Sequence, residues 1–346
     1  MKILITGATG FIGQNLLSYI LNNDDSNDKL KLNDYEIYAF VLPGDKFEKD
    51  LFKFKDNKNF NIIHGDITRK DDVEIAVNGI DIVIHLAGLI SYWKKDLDKL
   101  NDVNIKGTEN IVNACIKFKV KKLIHISSVG AIGFYKNGLI ADEQVDFNYP
   151  ANLYYMVTKY KGQKVVESAI KEKGLNAIIL CPASIMGPGD PDINTPHNQI
   201  YKKVFEGKMF GCFSGGLAVV DVRDIVKIII KILKYDYPSD KYLIVGKNLK
   251  YKEVIKTIER YSSKKTYPFI ISPLILSIAG FILEVISIFT GKKPLLTYGY
   301  GKLSGWNTYY SNEKSIKTFN HSYIDFDKTI KDSCKYFEEK FIKKSI

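Results

Sequence analysis

The sequence predicts an α/β protein, a doubly wound parallel sheet followed by a smaller, mostly helical C-terminal lobe. Three observations carry that prediction. The first half alternates short apolar runs with amphipathic stretches, the pattern of βαβ units. The apolar runs lack polar alternation, as expected of strands covered by helices on both faces. A glycine-rich turn, Gly7-Ala8-Thr9-Gly10-Phe11-Ile12-Gly13, falls where the first strand would pass into the first helix.

In chain order, Lys2–Thr6 reads as the first strand and Ile12–Leu21 as the first helix. Asn22–Asp34, rich in Asn and Asp, reads as a solvated loop. Tyr35–Leu42 is the second strand, closed by the Pro43-Gly44 turn. Asn61–His64, Asp81–Leu86 and Lys122–Ser127 follow as strands, with helices at Asp71–Val77 and Asp98–Phe118 between them. Asn152–Glu172 is a long helix, and Leu175–Cys181 a sixth strand. After Pro182 the character changes. Gly187–Pro196 is turn-rich, and the remainder is irregular and helical with short strands such as Lys241–Val245.

A chain of 346 residues is long enough for two lobes and a sizeable core. The formal net charge of +11 comes from lysines spread over the whole length, with arginine only at 69, 223 and 260. Nucleic-acid readers cluster their basic residues and favour arginine, so no nucleic-acid partner is expected. The charge reads as a solvated lysine surface, with steering of an anionic substrate as the second reading. Cys115, Cys181, Cys212 and Cys334 have no metal-ligand spacing, and the five histidines form no cluster. No metal site is expected, and the cysteines read as buried thiols. His85 and His125, inside apolar strands, read as satisfied core residues. No export signal precedes MKILITGATG, so a cytoplasmic location is expected.

One stretch bears on that location. Between Pro268 and Gly291, FIISPLILSIAGFILEVISIFT carries Glu284 as its single charge and is marginally long enough to span a bilayer. Pro273 and Gly280 are expected to break it, and a charge in a lone spanning helix is costly. Two readings stand: a buried helix pair in the smaller lobe, and association of segment 268–291 with a membrane.

The glycine turn has a clear physical use. Gly7 permits the tight turn, Gly10 lets the backbone approach a pyrophosphate, and Gly13 lets helix and strand pack closely. The free N–H groups of the helix start then hold the anion. A Rossmann-type dinucleotide-binding domain over 1–182, with some later segments returning to it, follows from this placement. Residues 183–346 are then mainly the substrate-binding lobe. The second strand of such a domain ends beside the adenosine ribose, where an acid selects NAD and an Arg accepts NADP. The stretch Ala39–Lys46 has neither at its tip. Lys46 could meet a phosphate and Asp45 a ribose, and the missing carboxylate tilts the reading toward NADP.

Tyr155-Met156-Val157-Thr158-Lys159 carries the chemistry. Residues i and i+4 of a helix share a face, so the phenol and the ammonium project together. An ammonium near a phenol favours phenolate and brings an acid of ordinary pKa about 10 toward working range. Ser127-Ser128 ends the fifth strand, at the carboxyl edge where doubly wound sheets bind ligands. A hydroxyl there can polarise a carbonyl.

With TGATGFIG, the sequence resembles the extended branch of the short-chain dehydrogenase/reductase superfamily, the NAD-dependent epimerase/dehydratase family, over most of its length. The resemblance implies that Gly7, Thr9, Gly10, Phe11, Ile12 and Gly13 cradle the dinucleotide. It implies that Asp66 and Ile67 lie beside adenine, a helix cap being the competing role for Asp66. Leu86, Ala87 and Gly88 would underlie the ribose, and Pro182 and Ile185 of Pro182–Gly189 would line the nicotinamide. By the family's spacing Ser128 is the catalytic hydroxyl, with Ser127 as fallback. Tyr155 is the acid–base, Lys159 also bonds the ribose, and Asn104 holds backbone and water near that lysine.

Val129-Gly130 stands where dehydratases place Asp-Glu, which argues against water loss. His85–Gly88 with Ile90–Asp96, Val103–Thr108 and Gly215–Asp224 look like dihydroflavonol-reductase-like and 3β-hydroxysteroid-dehydrogenase-like members. The implied function is NAD(P)H-dependent reduction of a ketone or aldehyde, or oxidation of a secondary alcohol. The small-molecule substrate would be lipophilic, and helices flanking the sheet could pair in a homodimer. Two rivals are a nucleotide-sugar epimerase, which keeps its NAD bound, and a non-catalytic dinucleotide sensor or membrane scaffold.

Overall fold

A computed structural model describes residues 1–22 and 35–342. The loop expected over Asn22–Asp34 therefore lies outside the described residues beyond Asn22. β1 (Lys2–Thr6), α1 (Phe11–Asn22), β2 (Glu36–Val41), β3 (Phe60–His64), α2 (Lys70–Val77) and β4 (Ile82–His85) alternate as the sequence predicts. α3 (Leu97–Asn101), α4 (Gly107–Lys117), β5 (Lys122–Ile126), α5 (Tyr154–Lys173) and β6 (Ala177–Pro182) complete the alternation. The chain then runs through β7 (Ser184–Met186), α6 (Pro196–Phe205), β8 (Gly211–Phe213), β9 (Gly216–Asp221), α7 (Val222–Lys234), β10 (Lys241–Ile244) and β11 (Lys247–Lys250). Last come α8 (Tyr251–Glu259), β12 (Phe269–Ile271), α9 (Pro273–Thr290), α10 (Tyr298–Leu303), β13 (Asn307–Thr308), α11 (Glu313–Phe319) and α12 (Phe326–Phe337).

Seven parallel strands form one sheet in the order β10-β6-β5-β4-β1-β2-β3. The order reverses between β1 and β4, which opens a crevice at the carboxyl ends of those strands. β4, β5 and β6 are buried along their full length, as strands with helices on both faces must be. The main core spans the sheet and its helices. A second cluster of buried side chains, including Tyr201, Val204, Ile255 and Ile330, holds the C-terminal lobe together.

Three features depart from expectation, each for a local reason. Asp98–Phe118 is not one regular helix: α3 passes through a π-helical turn at Asp102–Lys106 before α4 begins. Such turns mark places where a side chain is needed off the α-helical register. The chain after Pro182 is more ordered than predicted, because β10 closes the edge of the main sheet beside β6 and α7 packs on α1. Pro273 and Gly280 do not break the apolar stretch. Pro273 sits in the first turn of α9, where its missing N–H is no loss. Gly280 sits mid-helix because a Cβ would fall 2.8 Å from Tyr298 N, on the backbone of α10.

Gly162 on α5 makes the π-helical turn possible. A Cβ there would overlap the carbonyl oxygen of Asn104. Gly162→Ala should lower stability by about 1–3 kcal/mol in urea unfolding, because the clash is with backbone. Its loss of turnover should exceed what that destabilisation explains at temperatures where the variant is folded.

Candidate active site

The first turn is built for close approach. Gly7 adopts φ +67°, and a Cβ there would lie 2.7 Å from Ala87 N and 2.9 Å from Leu86 C. A Cβ on Gly13 would lie 2.6 Å from Ala8 Cα, so helix and strand touch at backbone distance. Gly10 is different: a Cβ would meet only Gly7 O, at 3.3 Å, so this stretch of backbone is bare on its outer side. That is the cradle a pyrophosphate requires, and Thr9, Gly10, Phe11 and Ile12 lie on it at the α1 N-terminus. The Gln14 amide donates to Thr9 O at 2.9 Å and holds the loop's shape. Leu86 and Ala87 are half-buried and Gly88 is exposed, forming the floor on the far side of the crevice.

A carboxylate stands at the edge of this cradle. Thr9 Oγ1 donates to Asp45 Oδ2 at 3.0 Å, and Phe47 N donates to Asp45 Oδ1 at 2.8 Å. Lys46 is turned away, paired with Asp192 at 3.0 Å. The turn after β2 thus brings to the glycine loop an acid that does not occupy the strand tip in sequence. Asp66 accepts from Thr68 N at 2.8 Å in a local turn; it does not cap α2, whose N-cap is Arg69. Ile67 packs under Gly107, where a Cβ would meet its Cδ1 at 2.8 Å.

Ser128, Tyr155, Lys159 and Asn104 converge at the carboxyl edge of β5. Ser127 and Ser128 have separate fates. Ser127 is buried and donates to Gln163 Oε1 at 2.6 Å, so it is committed inward. Ser128 Oγ accepts from Gly130 N at 3.0 Å, which leaves its proton for another acceptor. Tyr155, one position into α5, is pushed up in pKa by burial, and the Ser128 hydroxyl bonded to it pulls the other way. The phenol is therefore protonated at neutral pH.

Lys159 is 8% exposed and donates to Ile126 O at 2.8 Å. Burial lowers its pKa to about 8. Asn104, in the π-helical turn, accepts from Leu89 N at 2.8 Å and donates to Leu89 O at 3.0 Å and Thr158 Oγ1 at 3.1 Å. A Cβ on Gly88 would lie 3.4 Å from Asn104 Oδ1 and 3.7 Å from Lys159 Nζ. Floor, amide and ammonium therefore meet at one point. Pro182 is buried at the end of β6 and Ile185 half-buried in β7, across the crevice mouth.

Aromatic side chains cluster beside Tyr155, and sequence reasoning missed them. Tyr92 meets Tyr155 edge-on at 6.0 Å and Tyr300 at 4.6 Å, and Phe213 meets Tyr300 at 5.9 Å and Tyr251 at 5.0 Å. These residues come from four separate segments, so no local spacing announces them. Gln163 was also missed, although its i+4 position from Lys159 on the same helix face was a usable signal.

The two strand histidines differ. His85 is satisfied by Thr6 Oγ1 at 2.7 Å and Thr108 Oγ1 at 3.3 Å. Both ring nitrogens of His125 lack a partner among the described residues, which corrects the expectation of a satisfied core residue. Burial, and secondarily the charge of Lys159, holds His85 down at about 3 and His125 well below its ordinary value. Both are neutral.

Fold, cradle and the Ser-Tyr-Lys set define a nicotinamide-dinucleotide-dependent oxidoreductase of the extended short-chain dehydrogenase/reductase type. Comparison with known proteins agrees. The model of the 3-beta hydroxysteroid dehydrogenase/isomerase family matches residues 4–238, and the chain belongs to that family. It is 23% identical to a Synechocystis sp. protein named provisionally as a dihydroflavonol 4-reductase, over 96% of this chain and 94% of that one. It is 26% identical to a cinnamoyl-CoA reductase of Medicago truncatula, over 75% of this chain and 81% of the relative. The fold matches a UDP-glucuronic acid 4-epimerase from Bacillus cereus, solved with UDP-glucuronic acid and NAD. There the TM-score is 0.77 at 21% identity, covering 98% of this chain and 99% of that one.

The depressed pKa of Lys159 has a consequence for stability. Unfolded, this amine holds its proton up to its ordinary 10.5; folded, it releases it near 8. Between those values the unfolded state binds more protons, so this group makes stability rise with pH across that window. Wild type should gain up to about 3 kcal/mol over Lys159→Met between pH 8 and 10.5 in denaturant titrations. Parallel curves for the two proteins would show that Lys159 does not titrate there.

Proposed function

We propose that the chain reduces the carbonyl of a partly apolar ketone or aldehyde, using NADH in preference to NADPH. The observation that carries this reading is the convergence of the Ser128 hydroxyl and the protonated Tyr155 phenol over the carboxyl edge of β5, beside an aromatic wall. A bound reduced nicotinamide supplies the hydride. Ser128, with its own acceptor role met by Gly130 N, donates to the carbonyl oxygen and polarises it. Tyr155 gives the same oxygen its proton and is left as phenolate; in the reverse direction the phenolate takes the alcohol proton. Lys159, anchored on Ile126 O, holds one geometry against the ribose side of the crevice. Asn104 fixes the backbone at Leu89 and, through Thr158, the helix that carries both catalytic groups.

Asp45 supports NAD. Its carboxylate at the glycine loop suits a ribose hydroxyl and repels a 2′-phosphate, and Lys46 is neutralised by Asp192. This reverses the tilt toward NADP, which rested on the strand tip lacking an acid. The wall of Tyr92, Tyr251, Tyr300 and Phe213 supports a substrate with apolar or aromatic surface. A nucleotide sugar would need cations for its diphosphate, and the chain's three arginines are engaged elsewhere. Arg223 pairs with Asp221 and Asp332, Arg260 with Asp327, and Arg69 with Asp72. The exposed apolar face of α9 supports association of that helix with a membrane.

Tyr155→Phe should cut kcat by about a thousandfold on any accepted ketone while dinucleotide affinity stays within about twofold. Ser128→Ala should cost about a hundredfold, and Ser127→Ala far less. Turnover of a broad carbonyl panel, followed by loss of reduced-nicotinamide absorbance, is the measurement. Near-wild-type rates for Tyr155→Phe would refute the assignment. In binding titrations NADH should exceed NADPH in affinity, and Asp45→Asn should narrow the gap by about tenfold or more.

A further inference from the structure

One of the five histidines stands at the cradle without a chemical role. His197, in the first turn of α6, stacks on Phe11 with ring centroids 5.4 Å apart and planes 25° from parallel. Phe11 opens α1, and its backbone lies on the turn that receives a pyrophosphate. Both bonds of the imidazole are made at Nε2, to Asp190 Oδ2 at 2.7 Å and to Thr195 Oγ1 at 3.4 Å. Nδ1 has no partner among the described residues, and the side chain is 17% exposed.

Asp190 holds the ring and is itself held. It is 2% exposed, and its carboxylate also accepts from Thr195 Oγ1 at 2.7 Å and from Asp192 N at 3.0 Å. Its carbonyl oxygen accepts from the Tyr336 hydroxyl at 3.1 Å. The loop that carries it lies on α1. Asn15 Nδ2 donates to Pro188 O at 3.3 Å, and a Cβ on Gly189 would fall 2.7 Å from the same nitrogen. Farther along, Asp192 binds Lys46 at 3.0 Å, next to the Asp45 that accepts from Thr9. The loop is thus fastened both to α1 and to the turn after β2.

The charges at the cradle call for a cation. A pyrophosphate brings two negative charges, and a helix N-terminus answers with about half a positive one. Asp45 adds a carboxylate to the glycine loop, and Lys46 is neutralised by Asp192. His197 can supply what is missing. Its Nε2–H donates to Asp190, so a second proton on the ring makes Nδ1 a donor as well. An imidazolium set between a carboxylate and a phosphate bonds both, and such charge-assisted bonds are the strong ones.

We propose that His197 is a ligand of the dinucleotide's pyrophosphate, donating from Nδ1 as imidazolium while Asp190 holds Nε2. The second proton of the ring comes from solvent. Phe11 sets the plane of the ring, and Asp190 is the positioning residue behind it. The second lobe then closes over the cradle that the first lobe builds. The inference rests on the dinucleotide cradle and not on the reductase reading; an epimerase would use the same contact.

The test is titration of the full-length protein with NADH and with ADP-ribose, which keeps the pyrophosphate and lacks the nicotinamide. His197→Gln puts an amide nitrogen near the place of Nε2 and nothing at Nδ1; His197→Asn does the reverse. The Gln variant should bind both ligands about tenfold or more weakly, by equal factors, and the Asn variant should lose about threefold or less. Without ligand, both variants should melt within about 3 °C of wild type. Affinities of the Gln variant within about twofold of wild type overturn the proposal. So does a loss confined to NADH, which would move the contact to the nicotinamide end. Equal losses in the two variants overturn it too, since packing on Phe11 and not Nδ1 would then be at work. If the contact holds but Tyr155→Phe turns over carbonyls at wild-type rates, the reductase reading falls and the pyrophosphate contact does not.

Discussion

The site depends on a single side-chain amide. Asn104 joins the backbone of the segment after β4 to the face of α5, and it reaches both only because the chain departs from α-helical register at Asp102–Lys106. Three of the residues proposed for the site lie close to its bonds: Gly88 one residue before Leu89, Lys159 one residue after Thr158 and Tyr155 three before it. An amide can do this because it donates and accepts at once; a carboxylate or hydroxyl of similar size could satisfy only part of the set. Gly162 supplies the remaining condition, by offering no side chain where the turn's carbonyl passes.

Much of this was legible in the residues. Local patterns announced β1 to β6 and their helices, because a parallel sheet with two covered faces leaves an unbroken apolar signal. The glycine turn was legible because each glycine answers a distinct steric demand. The Tyr155–Lys159 pair was legible from helical spacing. What escaped was whatever depends on segments distant in sequence. Asp45 was named as able to meet a ribose, but that it bonds Thr9 on the glycine loop depends on a turn whose path no spacing reveals. The tyrosine wall draws on residues from 92 to 300. The family's spacing favoured Ser128 over Ser127, but the inward bond from Ser127 to Gln163 was visible only in the fold.

Burial shapes the electrostatics more than charge pairing does. Lys159 and Tyr155 are shifted chiefly by loss of water, each toward its neutral form. His85 and His125 are neutralised by the same cause, with the charge of Lys159 adding to it. The catalytic face thus carries few competing charges. A dipole developing on a substrate oxygen would meet Ser128 and Tyr155 in a weakly screened environment, where such interactions are strongest.

The edge strand β10 imposes an order on assembly. Its partner β6 ends at Pro182, and β10 begins only at Lys241, after the intervening chain has formed part of the second lobe. During synthesis the ribosome therefore releases a nearly complete sheet with one long apolar border unpaired, a template for association with other chains. The late-arriving strand seals the early domain, and the nascent protein is most vulnerable to aggregation in the interval between them.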